Sequence, residues 1–171
     1  MNLEDLIKDS PAGVARFLER SLELGYKPIM PDEKNALKDA WTMVYGVGEE
    51  TYMLVYAVNG NERKYPTQGT IKKIAGLKGK FDRKELLEQG RKNVSLEMAE
   101  GTMSPFVSED FEINKLHIIV DKKSIEENKY AKFPAGKNGS YFAMKLNEVL
   151  DVLQSMYGKE RVTEQYLLNK N

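Results

Sequence analysis

Apolar residues recur at helical spacing early in the chain. Val14, Phe17, Leu18 and Leu22 share one face of a helix. Ser10-Pro11 ahead of them reads as a hydroxyl cap followed by proline in the first turn, and Gly25 as the stop. A linker bounded by Pro28 and Pro31 follows. Two runs, 40–47 and 51–58, are then apolar, aromatic or β-branched at nearly every position, with Gly46 and Gly48 near their junction. This is the pattern of a β-hairpin buried on both faces. Asn59-Gly60-Asn61 makes a turn. Residues 67–75 predict a short helix presenting Lys72 and Lys73. Asp82, with Glu85 three residues on, starts another that reaches about Gln89. Residues 101–105 form a loop, 115–121 (KLHIIVD) a strand, and Asp121 a cap for a short helical turn. A tight turn at 136–139 leads into a strand at 140–145. Asn147 caps a last helix with Val149, Leu150, Leu153 and Met156 inward, and Gly158 ends it. The tail after Glu160 is expected to be peripheral. This irregular alternation predicts an α/β (α+β) domain built on a mixed sheet.

Length and composition sharpen that picture. The 171 residues suit one domain, and 41% hydrophobic with 30% charged residues is ordinary for a globular protein. No apolar run is long enough to span a bilayer. The opening MNLEDLIKDSP carries acids where an export signal needs bases, so a cytoplasmic location is expected. The absence of cysteine excludes disulfides and thiolate chemistry, and a single histidine, His117, excludes a His-rich metal site. The formal net charge is zero, yet positions 61–92 hold ten Lys or Arg against four Asp or Glu. That stretch is either a solvated helical face or a surface that meets phosphates.

Several segments line up, in order, with one known family. Gly101-Thr102-Met103-Ser104-Pro105 (GTMSP) resembles a Gly-x-x-x-Pro loop, and the strand ending at Asp121 follows it. The block at 130–153, YAKFPAGKNGSYFAMKLNEVLDVL, resembles a strand, an Ala-Gly-Lys-x-Gly turn, a strand and a terminal helix. Trp41-Thr42-Met43-Val44 is similar to a Lys-Thr-Leu-Val strand, and 71–81 to the helix after the hairpin. Together these resemble the YbaK and prolyl-tRNA-synthetase-associated editing domains over roughly residues 36–153. The resemblance implies a partly barrel-like mixed sheet surrounded by helices, with residues 1–35 as a helical segment packed on an editing domain at 36–158 and a tail at 159–171. It implies an aminoacyl-tRNA deacylase that hydrolyses the ester of a mischarged tRNA. The implied partners are a tRNA acceptor end carrying an amino acid and an aminoacyl-tRNA synthetase, with no membrane and no cofactor.

Such a hydrolysis needs a positioned water, donors for the developing oxyanion and a pocket that selects the side chain. By resemblance, Gly101 belongs to the catalytic loop. Thr102, Met103, Ser104, Pro105, Thr42 and Gly136 contact the substrate. The family's lysine on the first hairpin strand is Trp41 here. Lys38, three residues earlier, can supply that charge, as can Lys72 or Lys73 from the next helix. Trp41 itself either fills the pocket, stacks on the terminal adenine or serves as a core aromatic. The family's glycine after the loop proline is Val107. His117 is read as a structural rim residue ahead of a general base, and Asp121 as a cap. The alternative to an enzyme is a binding module for a tRNA end, a nucleotide or a synthetase that kept the fold without the activity.

Overall fold

The computed structural model describes residues 2–31, 37–60, 62–94, 103–107, 111–136 and 139–168. A six-stranded mixed sheet, curled into a half-barrel, runs in the order β5-β4-β1-β2-β3-β6. Its centre is the hairpin of β1 (Lys38–Val47) and β2 (Glu50–Val58), antiparallel in register from Asp39↔Val58 to Val47↔Glu50. β3 (Leu116–Asp121) lies parallel to β2, and β6 (Val162–Gln165) parallel to β3. On the other side β4 (Tyr130–Pro134) pairs in parallel with β1 and antiparallel with β5 (Tyr141–Lys145).

Burial of both faces explains the continuous apolar runs. Met53 and Val55 of β2 enter one core, Leu54 and Tyr56 the other, and all four are buried. The first core is closed by α1 (Leu3–Asp9), α2 (Ala12–Glu23) and α6 (Leu146–Tyr157), around the packed rings of Phe17, Phe106, Phe133 and Phe142. The second is closed by α3 (Gln68–Ala75), α4 (Arg83–Val94) and Leu167. Asp121 caps α5 (Lys122–Glu127), as expected, and also accepts from the Leu167 N–H at 3.0 Å.

The structure differs from the sequence reading in five places. Ser10 does not cap α2. It closes α1, its hydroxyl donating to the Leu6 carbonyl at 2.6 Å, and Pro11 is the residue before α2. Leu22 is 44% exposed, and the inward position belongs to Ser21, whose hydroxyl donates to the Phe17 carbonyl. α4 does not stop near Gln89 but continues through Gly90 to Val94. Lys145, not Asn147, precedes α6, with the Glu148 carboxylate accepting from the Lys145 N–H. The tail is not peripheral: it supplies edge strand β6 and buries Val162 and Leu167 completely. Among the described residues no helix is long and apolar enough to cross a membrane.

Candidate functional site

The site arises where two strands part. β1 and β4 are paired only at Lys38↔Ala131 and Asp39↔Lys132. Beyond Asp39 the β1 edge has no strand partner on that side among the described residues. A cavity of about 550 Å³ fills the gap. Its floor is the β1 segment from Asp39 to Val44. Pro134 and Tyr141 wall it on the β4–β5 side, Leu87 and Arg91 of α4 close a flank, and Met103 comes from the GTMSP loop.

The orientation of the β1 backbone follows from its neighbours. The Ala57 N–H donates to Ser124 Oγ at 3.1 Å, away from β1. Ala57 is the partner of Ala40, so Ala40 and Ala57 form a non-hydrogen-bonded pair. Ala40, and Thr42 two residues on, therefore turn their N–H and C=O groups away from β2; the Ala40 N–H serves the Asp39↔Lys132 pairing with β4, and Thr42 faces the gap beyond it. The Val44 carbonyl fits this alternation, because it faces Gly90 of α4.

α4 can lie against that edge because two glycines meet there. A Cβ on Gly90 would stand 2.3 Å from the Val44 carbonyl oxygen, and one on Gly46 would stand 2.7 Å from the Gly90 nitrogen. The loop is seated in the same way. A Cβ on Gly13 of α2 would stand 2.6 Å from the carbonyl oxygens of Phe106 and Val107, and Arg16 donates to the Val107 carbonyl at 2.9 Å. The chain is thus held firmly at Val107. Ser104 and Pro105 are buried beside it, and Met103 reaches the cavity.

Of the residues singled out from sequence, Trp41, Thr42 and Met103 are brought together on the cavity wall. Gly101 and Thr102 lie outside the described residues. Lys38 does not line the cavity; it is ion-paired with Glu127 of α5. Lys72 and Lys73 are exposed on α3 and do not line it either. Gly136 has φ +83° in its turn and packs on the Pro11 ring, apart from the cavity lining. His117 bonds Glu50 at 2.8 Å and stacks on Tyr52 at the far end of the hairpin, a structural position.

Charge enters the site from residues the sequence reading passed over. Lys132, Arg91 and Asp39 all line the cavity. Lys132 Nζ lies 3.6 Å from Asp39 Oδ1 and 4.7 Å from the Tyr141 ring centroid. The available signal was a lone cation between apolar Ala131 and Phe133, which sets Lys132 on the face opposite the core. Trp41 also continues outward. Its ring is 5.7 Å from that of Tyr65, which is 41% exposed, and the Arg83 guanidinium lies 4.7 Å from the Tyr65 centroid. Behind it, burial pushes the Tyr56 phenol well above its ordinary range, and its hydroxyl donates to the Lys64 carbonyl at 2.7 Å. No cluster of three metal-ligating side chains occurs among the described residues.

No family model and no curated protein matches this sequence. The chain is similar to a solved structure described as a crystal structure of the hypothetical protein APE2540. The two are 13% identical with a TM-score of 0.48, and the match covers 92% of this chain and 85% of that one.

Proposed function

We propose that the chain is a YbaK-like aminoacyl-tRNA deacylase, acting in the cytoplasm on a mischarged acceptor end. The observation that carries this reading is one cavity bounded by both the first hairpin strand and the GTMSP loop, with Trp41, Thr42 and Met103 on its wall. Its size is within the usual range for small-molecule sites and leaves room for an aminoacyl group together with part of the terminal nucleoside. Water attacks the ester carbonyl carbon, the bond to the ribose oxygen breaks, that oxygen takes one of the water's protons to become a hydroxyl, and the amino acid leaves as a carboxylate with the other proton released to solvent. The Thr42 N–H, turned to the gap beyond the last β1–β4 pair, is suited to receive the developing oxyanion, as a preorganised donor that needs no rearrangement. Leu87, Met43 and Met103 offer an apolar wall for the amino-acid side chain. Trp41 and Tyr65 offer ring faces for the terminal bases, a sequence-tolerant contact.

The test is a deacylation screen of purified protein against a broad panel of mischarged tRNAs. Release of free amino acid from at least one, lost when the 101–105 loop is altered, is the expected result. No release from any member of the panel defeats the proposal. A second reading draws on the Trp41–Tyr65–Arg83 file: a module that binds a tRNA end, alone or with a synthetase, without turnover. Salt-dependent tRNA binding with no hydrolysis in the same screen would favour it.

A further inference from the structure

We infer that Lys132 is the phosphate anchor of this cavity, holding a backbone phosphate of the terminal nucleotides while the ester lies over β1. The inference rests on the proposed reading that the ligand is a tRNA end, and it names a group that reading leaves open. Four observations carry it. First, Asp39↔Lys132 is the last pair before β1 and β4 separate, so Lys132 stands at the apex of the gap. Second, its strand neighbours Ala131 and Phe133 are fully buried in the core, which turns Lys132 to the other face, where the cavity opens. Third, Tyr141 lies diagonally across the β4–β5 ladder on that face, and its ring steadies the lysine arm at 4.7 Å. Fourth, the ammonium's ion pair with Asp39 is a long one. The two groups stand 3.6 Å apart, beyond hydrogen-bond range, and the Lys132 side chain is 37% exposed, so a phosphate can approach it. Lys38, Lys72 and Lys73 do not line the cavity: Lys38 is ion-paired with Glu127 of α5, and Lys72 and Lys73 are exposed on α3.

Asp39 gives the inference a signed consequence. Its carboxylate is near enough to attract the ammonium and to repel an incoming phosphate. Removing Lys132 must weaken anion binding, and removing the charge of Asp39 must strengthen it. A purely structural role for this pair would make both changes harmful.

The experiment measures binding of an uncharged RNA hairpin carrying a tRNA acceptor end, by fluorescence anisotropy across a salt series, to the full chain and three variants. Lys132→Ala should weaken binding about ten-fold or more, as loss of a hydrogen bond to a charged group does. It should also flatten the plot of log affinity against log salt by about 0.7, one single-strand phosphate contact. Lys132→Arg should keep most of the affinity, and Asp39→Asn should bind more tightly than the parent. Circular dichroism of each variant excludes unfolding as the cause. Unchanged affinity and slope in Lys132→Ala, weaker binding in Asp39→Asn, or no binding by the parent would each overturn the anchor. The deacylation screen reads separately. Hydrolysis that survives Lys132→Ala with an unaltered KM removes the anchor and keeps the enzyme. Lys132-dependent binding without hydrolysis removes the enzyme and keeps the anchor.

Discussion

Replacing Gly90 with alanine tests the contact that holds α4 against the open edge of β1. On an unobstructed helix this change stabilises by about 1 kcal/mol, because glycine is the poorer helix former. Here the new methyl would stand 2.3 Å from the Val44 carbonyl oxygen, 2.7 Å from its carbon and 3.1 Å from the Tyr45 nitrogen. All three are backbone atoms of a paired strand, so none can swing aside as a side-chain tip would. Helix and strand must separate by roughly 1 Å, a gap that forfeits a quarter to a half of each dispersion contact along the seam. Overpacking of this kind costs about 1–3 kcal/mol and sometimes more. Set against the propensity gain of about 1 kcal/mol, the middle of that range leaves a net loss of about 1 kcal/mol, a fall in Tm of about 2–4 °C for a chain of this length. Calorimetry of Gly90→Ala decides the matter by sign, since a rise of about 2–4 °C would show that the helix does not press on the strand. Gly46→Ala, whose methyl would meet Gln89 and Gly90 backbone at 2.7 Å, should destabilise in the same direction. The double variant should lose less than the sum, because one displacement relieves both contacts. The same displacement moves Leu87 and Arg91, so ligand binding should weaken alongside stability.

Three further outcomes follow from other parts of the molecule. Asp121→Ala removes a buried carboxylate that accepts from Ser124 N, Ser124 Oγ and Leu167 N, and should cost about 3 kcal/mol in urea unfolding. Limited proteolysis should also cut the segment after β6 sooner in that variant, and unchanged cleavage would count against the tie. The Tyr26 hydroxyl donates to the Asp151 carboxylate, which, with burial and the nearby acids, lifts its phenol from the ordinary 10.0 to about 12. A pKa raised in the folded state gives stability that is whole below pH 10 and is lost as pH rises through about 12. Tyr26→Phe should therefore lose less stability than the parent over that window, and parallel profiles of urea midpoint against pH would refute the link. Trp41 is the only tryptophan in the chain and lines the cavity. A ligand seated there must change the protein's indole emission, so saturation binding with a constant spectrum would show that the ligand lies elsewhere.

What could be read in the sequence was local. The hairpin was legible because β2 is buried on both faces and its run is apolar throughout. The Asp121 cap and the Gly158 stop were legible because one side chain or one glycine satisfies a helix end nearby. α1 was missed because seven residues hold too little periodicity, and its start depends on an Asn2–Asp5 capping box. β6 was missed because VTEQ has one buried residue and owes its place to β3. Gly90 looked like a place for α4 to end, whereas its reason is a strand more than forty residues earlier. Of the site, Trp41, Thr42 and Met103 were found by resemblance. Lys132 was not found, because its position depends on a parallel register between strands over ninety residues apart, which no local pattern carries.

That register also bears on the tryptophan where a lysine was expected. An unpaired strand edge exposes backbone donors and acceptors and is normally covered or blunted. Here the edge of β1 is covered by α4 at Val44 and paired with β4 as far as Asp39, so the backbone groups of Thr42 between them stay within reach of a ligand. Trp41 lies on the opposite side of the pleat from Thr42, packed with Tyr56 and Tyr65, a setting of ring faces that suits an indole. On the proposed reading the cation has moved one strand over, to the fork, where a long ion pair with Asp39 and the Tyr141 ring steady it. Charge and ring have then exchanged strands around one cavity. The requirement that survives the exchange is geometric: an ammonium and a backbone N–H converging on the gap between β1 and β4.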